Sequence, residues 1–294
     1  MATLSQPTRS AFLWTKASVS VPAALTAFFF LLLFVQPALS LVRQWWTDPE
    51  AGHGMLLAPL ALWLAWRSGV RSDSRAHRSA GLVVLILSVL LRYASGLAAE
   101  VFTMRLSMIL ALAGLIIFYA GFRQLLHWWL PLAVLTLSIP LPALVTDRLA
   151  LPLQFRASNM GAALLRSRHV PVLLDGNVIE IPGHRLFVTE ACSGLRSLTA
   201  LFSLGVLIGG LRLRAPLTRI FLLLVVIPVA IAINGVRVFL TGFLVYFVDP
   251  KLGDGFMHLT EGWLMFVVAF AILGGLALLA EQAERWALRM RHAS

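Results

Sequence analysis

Apolar residues in this chain fall in long unbroken runs, parted by short polar stretches. Runs cover about 19–42, 54–66, 80–98, 101–121 and 125–142. A helix needs about 20 such residues to cross a hydrocarbon layer roughly 30 Å thick, so each run reads as a membrane-crossing helix. The short 54–66 run is completed by tilt and interfacial tryptophans. The first run is too long for the apolar region of a signal peptide and lacks a clear small-residue cleavage site, so it is retained as the first span.

The pattern changes after residue 142. ALVTDRLALPLQFRASNMGAALLRS (143–167) mixes charge with helically spaced apolar residues, which predicts an amphipathic helix at the interface. Residues 168–190 alternate, are rich in Val, Ile and Leu, and carry Asp175, Gly176 and Asn177 as a turn, which predicts a β-hairpin. Extended backbone cannot face lipid, so the hairpin belongs outside the bilayer. A sixth run follows Cys192 and ends near Gly210. A seventh runs from Pro216 to Val248 and is interrupted by Asn234, Gly235 and Arg237. It is too long for one simple span, so it predicts a helix that crosses by about residue 234, with 238–248 continuing along the interface. The eighth covers about 262–282 and leads into a basic tail.

The predicted fold is an all-α polytopic membrane protein with about eight transmembrane helices, a small extracytoplasmic β-hairpin and an amphipathic helix. Residues 1–294 form one integral membrane domain, with 143–191 as an extracytoplasmic insertion ahead of the cysteine. No internal repeat, low-complexity tract or appended soluble domain is expected.

Composition agrees. Of 294 residues, 59% are hydrophobic and 13% charged, against about 25% charged in a soluble domain. The net charge is +11, nearly all of it arginine. The arginines flank apolar runs, as orientation by the positive-inside rule produces. Arg67, Arg71, Arg75 and Arg78, then Arg212, Arg214 and Arg219, then Arg285, Arg289 and Arg291 fall with Arg9 and Lys16 on one side of an eight-span chain. That side is cytoplasmic. The opposite side holds 43–53, 143–192 and 249–261. Arg148, Arg156, Arg166, Arg168 and Arg185 run against the rule, though long translocated segments obey it less. Anionic lipid headgroups are the expected partner of this charge. Nucleic acid is not, since no basic and aromatic residues interleave on a solvent-facing platform.

Candidate chemistry begins with Cys192, the one cysteine, in TEACSGLRSL (189–198). It cannot form an internal disulfide, and it is the only side chain here with strong nucleophilicity near neutral pH. At a helix amino terminus the macrodipole favours its thiolate. Ser193 and Gly194 follow it. Glu190 opposes the thiolate unless Arg196 or Arg237 pairs with it. Topology puts Arg237 at the outer end of the seventh helix, close after Asn234, and His258 in the outer loop before the eighth. An imidazole can exchange protons with the thiol and protonate a leaving amine. A guanidinium can stabilise an oxyanion. Together the three suit acyl transfer through a thioester. On the residues alone, an inert buried cysteine, a snorkelling arginine and an ordinary loop histidine remain open. Arg237 fits that reading worst, because a charge inside an apolar run usually has a partner or a function. No HExxH is present, and no metal or other cofactor is expected.

The series TEACSGLRSL, NGVR (234–237) and a histidine before the last helix resembles the exosortase/archaeosortase family of membrane cysteine transpeptidases. HGMLLAPLALWLAW (53–66), IPLP (139–142), LALPLQFRASNMGAALL (149–165), VPVLLDGNVIEIP (170–182) and LFVTEACSG (186–194) follow in the family's order, so the resemblance covers about 53–262. It implies that Cys192 is the nucleophile and that Arg237 and His258 are its catalytic partners. The supporting positions are Ser193, Gly194, Arg196, Asn234 and Glu190. A histidine at the third position points to the bacterial exosortase branch. The resemblance further implies a thiol protease of the bacterial inner membrane, with its site on the periplasmic face. Its substrates would be exported, membrane-anchored proteins with a carboxy-terminal, PEP-CTERM-like sorting signal, and its acceptor an unidentified amine. The soluble domain that some members carry, linked to exopolysaccharide production, is not expected.

Two other function classes fit the composition. In a transporter or flippase for envelope polysaccharide or lipid-linked intermediates, Arg92, Arg105 and Arg237 would line a path. No inverted repeat or matched pair of broken helices supports that reading. An inactive scaffold for envelope assembly is the other.

Overall fold

The computed structural model describes residues 21–48, 51–188, 195–253 and 255–293. Its helices are α1 (Val21–Thr47), α2 (Gly54–Ser68), α3 (Arg78–Leu97), α4 (Val101–Tyr119), α5 (Phe122–His127), α6 (Trp129–Leu137), α7 (Ala143–Ser167), α8 (Leu195–Arg212), α9 (Pro216–Phe247) and α10 (Gly255–Ala293). Strands β1 (Leu173–Asp175), β2 (Val178–Ile181) and β3 (His184–Phe187) lie between α7 and α8.

The chain is an all-α polytopic membrane protein. Among the described residues, five segments are long and apolar enough to cross a bilayer: Val21–Thr47, Arg78–Leu97, Val101–Tyr119, Pro216–Phe247 and Leu264–Met290. The other three apolar runs of the sequence form shorter helices, namely α2, the α5–α6 pair broken at Trp128, and α8. Large aliphatic side chains such as Leu31, Leu90, Leu224 and Leu264 are more than half exposed. In water that outer surface would be an aggregation hazard; against lipid tails it is the expected coat.

Contacts bring the basic segments together at one end of the bundle. Trp128 Nε1 donates to the carbonyl of Gly69 at 3.0 Å, at the start of the 69–77 loop. The guanidinium of Arg219 sits 4.8 Å from the Trp129 ring centroid. Arg212 Nη1 reaches Glu281 at 3.3 Å. In the 69–77 loop, the hydrogen-bonded Arg71 guanidinium holds the Asp73 carboxyl down at about 2. At the opposite end, Glu100 caps α4 by accepting from the N–H groups of Phe102 and Thr103. The Thr103 hydroxyl, with these N–H groups, holds the Glu100 carboxyl below its ordinary range.

That opposite end also carries α7 and the three strands. The amphipathic helix predicted over 143–167 is α7 to the residue. Its buried positions, Ala150, Gln154, Ala157, Ser158, Gly161, Ala162 and Leu165, form one helical stripe. The stripe packs on the second half of α9 at close range: a Cβ at Gly161 would collide with Val238, and one at Gly235 with Met160. Small residues let the two backbones approach where a larger side chain would hold them apart.

The β element differs from expectation. It is a three-stranded antiparallel meander, β1-β2-β3, where the alternation predicted a hairpin. The first turn is the predicted one, with Gly176 at φ +58. The second is Pro182–Gly183, with Gly183 at φ +82. Proline followed by a left-handed glycine makes a type II turn, and this folds the expected return strand back once more. The inner face of the sheet, Ile179 and Ile181, joins Val170 and Val188 in a core with Ala157, Ala162 and Leu165 of α7 and Val238 and Val245 of α9.

Two further features differ. α9 continues as one helix of 32 residues through Asn234 and Gly235, a length of about 48 Å against a hydrocarbon layer of roughly 30 Å. Its second half is held helical by α7 and the sheet. The last helix begins earlier than the apolar run, so His258 lies in the first turn of α10 and not in a loop. The connection is instead 248–254, with a 3-10 turn at Pro250–Gly253. Residues 255–263 hold three Gly or Thr and two charged or His positions, which hides this helical turn from a hydropathy reading.

Candidate active site

Arg237 and Asn234 lie one turn apart on α9, near the level where α7 crosses it. Asn234 is 4% exposed, and Arg237 is half-buried. Both line a crevice between three helices. Leu201 of α8 forms another wall, and Met265, Phe266 and Ala269 of α10 a third. The core below the crevice is continuous: Leu201, Leu222, Val226, Ala230, Ala269 and Leu273 pack together.

Chain direction gives this crevice its electrostatics. α8 and α10 both start at the end of the bundle where α9 finishes, since Arg212 and Glu281 meet at the other end. Two helix amino termini thus open toward the end that carries Arg237, and each presents the positive pole of its macrodipole. An anion forming in the crevice would be favoured by the Arg237 guanidinium.

Cys192, Ser193, Gly194 and Glu190 lie outside the described residues. So do the side chains of Arg196 and His258, whose backbones occupy the first turns of α8 and α10. The crevice is reached from both helices. Leu201 is six residues past the start of α8 at Leu195, about 9 Å along the axis. Met265 is seven residues past His258, about 10 Å along α10. The residues that the structure brings together among those predicted are Asn234 and Arg237.

Val188, the last described residue before Cys192, is pinned by two residues that the sequence did not single out for this role. The Val188 N–H donates to the Asn177 carbonyl at 2.9 Å. Asn177 Nδ2 in turn donates to the Val188 carbonyl at 3.1 Å and to Gln154 Oε1 at 3.5 Å. Gln154 is 4% exposed on the buried stripe of α7. Val188 is thus tied through Asn177 and Gln154 to the helix that packs on α9. The Asp-Gly-Asn triplet marked Asn177 as a turn residue; nothing in the sequence marked its reach to Val188.

Arg92 and Arg105 belong to a different helix group. Arg92 Nη2 donates to Gln36 at 2.9 Å. Arg105, 5% exposed, donates from Nη1 to Gln44 at 2.5 Å and from Nη2 to Ser40 at 3.4 Å. Gln36, Ser40 and Gln44 recur every fourth residue on α1 and form one polar stripe. The three arginines therefore do not share one lining: two are held by α1, and the third faces the α8–α10 crevice.

A family model described as transmembrane exosortase matches residues 45–275, an interval that contains Cys192, Arg237 and His258. No curated protein and no solved structure matches the chain.

Proposed function

The chain belongs to the transmembrane exosortase family, and from that premise we propose that it is a membrane cysteine peptidase or transpeptidase acting through Cys192, Arg237 and His258. Its substrates are exported proteins held in the membrane by a carboxy-terminal sorting signal of the PEP-CTERM type. The Cys192 thiolate adds to a peptide carbonyl near the anchor. Arg237 stabilises the resulting oxyanion. His258 delivers the proton that lets the amine leave with the anchor. A thioester remains, and an acceptor amine or water attacks it, releasing the thiol.

The observation that carries this reading is the crevice: Arg237 lines it together with α8, which begins three residues after Cys192, and α10, whose first turn holds His258. A cysteine just ahead of α8 stands at the positive pole of that helix, which favours its thiolate form. The clustering of the basic segments at the other end supports a bacterial inner-membrane orientation with the site on the periplasmic face. Confinement of enzyme and substrate to one membrane plane raises their effective concentration, so the signal need not bind tightly. Transport is the weaker reading, because Arg92 and Arg105 are engaged by α1 and do not continue the line of Arg237.

The test uses a reporter with a carboxy-terminal motif, apolar span and basic tail taken from an exported protein of the same cell. Cys192→Ala and Cys192→Ser are expected to abolish its processing while the enzyme stays inserted at normal abundance. Full processing by Cys192→Ala would sink the assignment.

A further inference from the structure

We propose that the outer edge of β3 is a docking strand, on which the extended segment just ahead of a substrate's membrane anchor pairs main chain to main chain. The inference rests on the cysteine peptidase reading above.

Register fixes which groups the edge offers. β2 and β3 pair as Val178 with Phe187, Ile179 with Leu186, Glu180 with Arg185, and Ile181 with His184. The next pair along, Asn177 with Val188, is hydrogen-bonded through the Val188 N–H at 2.9 Å. Bonded and non-bonded pairs alternate in an antiparallel ladder. The pairs 179/186 and 181/184 are therefore the bonded ones, and the N–H and C=O groups of Arg185 and Phe187 point away from β2. Among the described residues the sheet has three strands and β3 is its last, so these groups face outward.

Among the described residues, the inner face of β3 is packed and its outer face is exposed. Leu186 packs toward α9, where a Cβ at Gly242 would lie 3.3 Å from it. Phe187 is 62% exposed. Arg185 pairs with Glu180 at 2.8 Å across the exposed face, so its side chain is directed along the sheet face and away from the edge. Natural edges are usually blunted by bulges, prolines or covering elements; proline here sits in the preceding turn and leaves β3 itself intact.

Position selects a peptide as the occupant. Gly242 is five residues beyond Arg237 on α9, about 7.5 Å along the axis. Phe187 is five residues ahead of Cys192. An extended chain lying on β3 thus sits near the Gly242 stretch of α9, on a strand that ends five residues ahead of the candidate nucleophile in the sequence. Alternating donors and acceptors at the strand repeat match another backbone, and no lipid headgroup has that repeat. Main-chain pairing also tolerates varied sequence while leaving alternate side chains to be read against Phe187.

The chain offers a clean test, because Cys192→Ala removes its one cysteine. In that background Phe187→Cys supplies a single thiol on the outer face and Leu186→Cys one on the inner face. Each is co-expressed with the tail-anchored reporter, which carries single cysteines scanned through the segment ahead of its anchor, and is oxidised with copper phenanthroline. Phe187→Cys is expected to cross-link at every second reporter position, and Leu186→Cys at none. No cross-links, cross-links without alternation, or Phe187→Cys joining two copies of the enzyme would each overturn the proposal. Processing by the Cys192→Ala chain itself would instead overturn the peptidase reading. As an independent arm, Phe187→Pro in the native chain removes one outward N–H without touching the β2 ladder. It is expected to slow processing at least tenfold at unchanged abundance; unchanged processing counts against docking on this edge.

Discussion

Asn177 and Val188 hold one another twice, through the Val188 N–H to the Asn177 carbonyl at 2.9 Å and through Asn177 Nδ2 to the Val188 carbonyl at 3.1 Å. Val188 is buried and stands four residues before Cys192. Asn177→Ala keeps the backbone bond and deletes the side-chain one, leaving a buried carbonyl short of a donor at a cost of about 1–3 kcal/mol. The expected result is slower processing, by about tenfold, with normal abundance. Because the chain has one cysteine, alkylation with a small maleimide reports on Cys192 alone, and its rate should change in parallel. Gln154→Leu removes the acceptor for Asn177 and should follow Asn177→Ala. Native alkylation and processing rates in Asn177→Ala would show that this clamp does not position the cysteine.

Arg237 separates charge from geometry. Loss of one oxyanion donor typically costs about 100- to 1000-fold in kcat, so Arg237→Ala is expected to lose processing on that scale while abundance and insertion stay normal. Arg237→Lys keeps the charge but not the planar fork and should retain an intermediate rate. Loss of folded protein in both variants would instead assign Arg237 a purely structural role.

The sequence made some of this legible and concealed the rest for physical reasons. α7 was found to the residue because its stripe, from Ala150 to Leu165, follows the helical period. The apolar runs located α1, α3 and α4, since lipid-facing helices need no partner to reveal themselves. The reversal at Pro182–Gly183 carries a turn signal, yet three- and four-residue strands are too short for alternation to count them. Asn234 and Gly235 read as a break in α9, but packing of Gly235 on Met160 and of Val238 on Gly161 decides that backbone, and such packing is not a local property. The same holds for Gln154 and Asn177, whose side chains meet across 23 positions. Arg237 stood out because an arginine in an apolar run is costly wherever it sits. His258 was placed in a loop because hydropathy marks where lipid begins, and α10 starts before that.

Arg105 and Gln44 make an asymmetric pair. Arg105 is almost fully buried between α4 and α1, and Gln44 takes its shorter hydrogen bond while donating to Asp48 at 3.1 Å. Removing Gln44 leaves the buried cation with the longer contact to Ser40 at 3.4 Å, whereas removing the cation leaves a glutamine that still has Asp48. Gln44→Leu is therefore expected to destabilise the detergent-solubilised protein more than Arg105→Leu does, and the double variant less than the sum of the two. Thermal unfolding of the four proteins measures this directly. Strict additivity would mean that the two side chains do not stabilise each other.

Glu284 of α10 fastens the segment that leads into α9. α9 begins after Ala215, which offers no side-chain cap. From α10, Glu284 accepts from the N–H groups of Arg214 at 2.9 Å and Ala215 at 3.0 Å, just ahead of the helix, and from the hydroxyl of Thr218 in its first turn. A carboxylate at a helix amino terminus also opposes the positive pole of the dipole. Glu284→Ala leaves these donors without their acceptor, at about 0.5–1.5 kcal/mol for a net hydrogen bond. Glu284→Gln keeps one carbonyl acceptor without the charge and should fall between. The lesion lies at the end of the bundle opposite Arg237. Both variants are therefore expected to lower the thermal midpoint in detergent while leaving the alkylation rate of Cys192 unchanged at lower temperature. A change in that rate without a change in midpoint would mean that Glu284 acts on the distant end of α9 and not on its start.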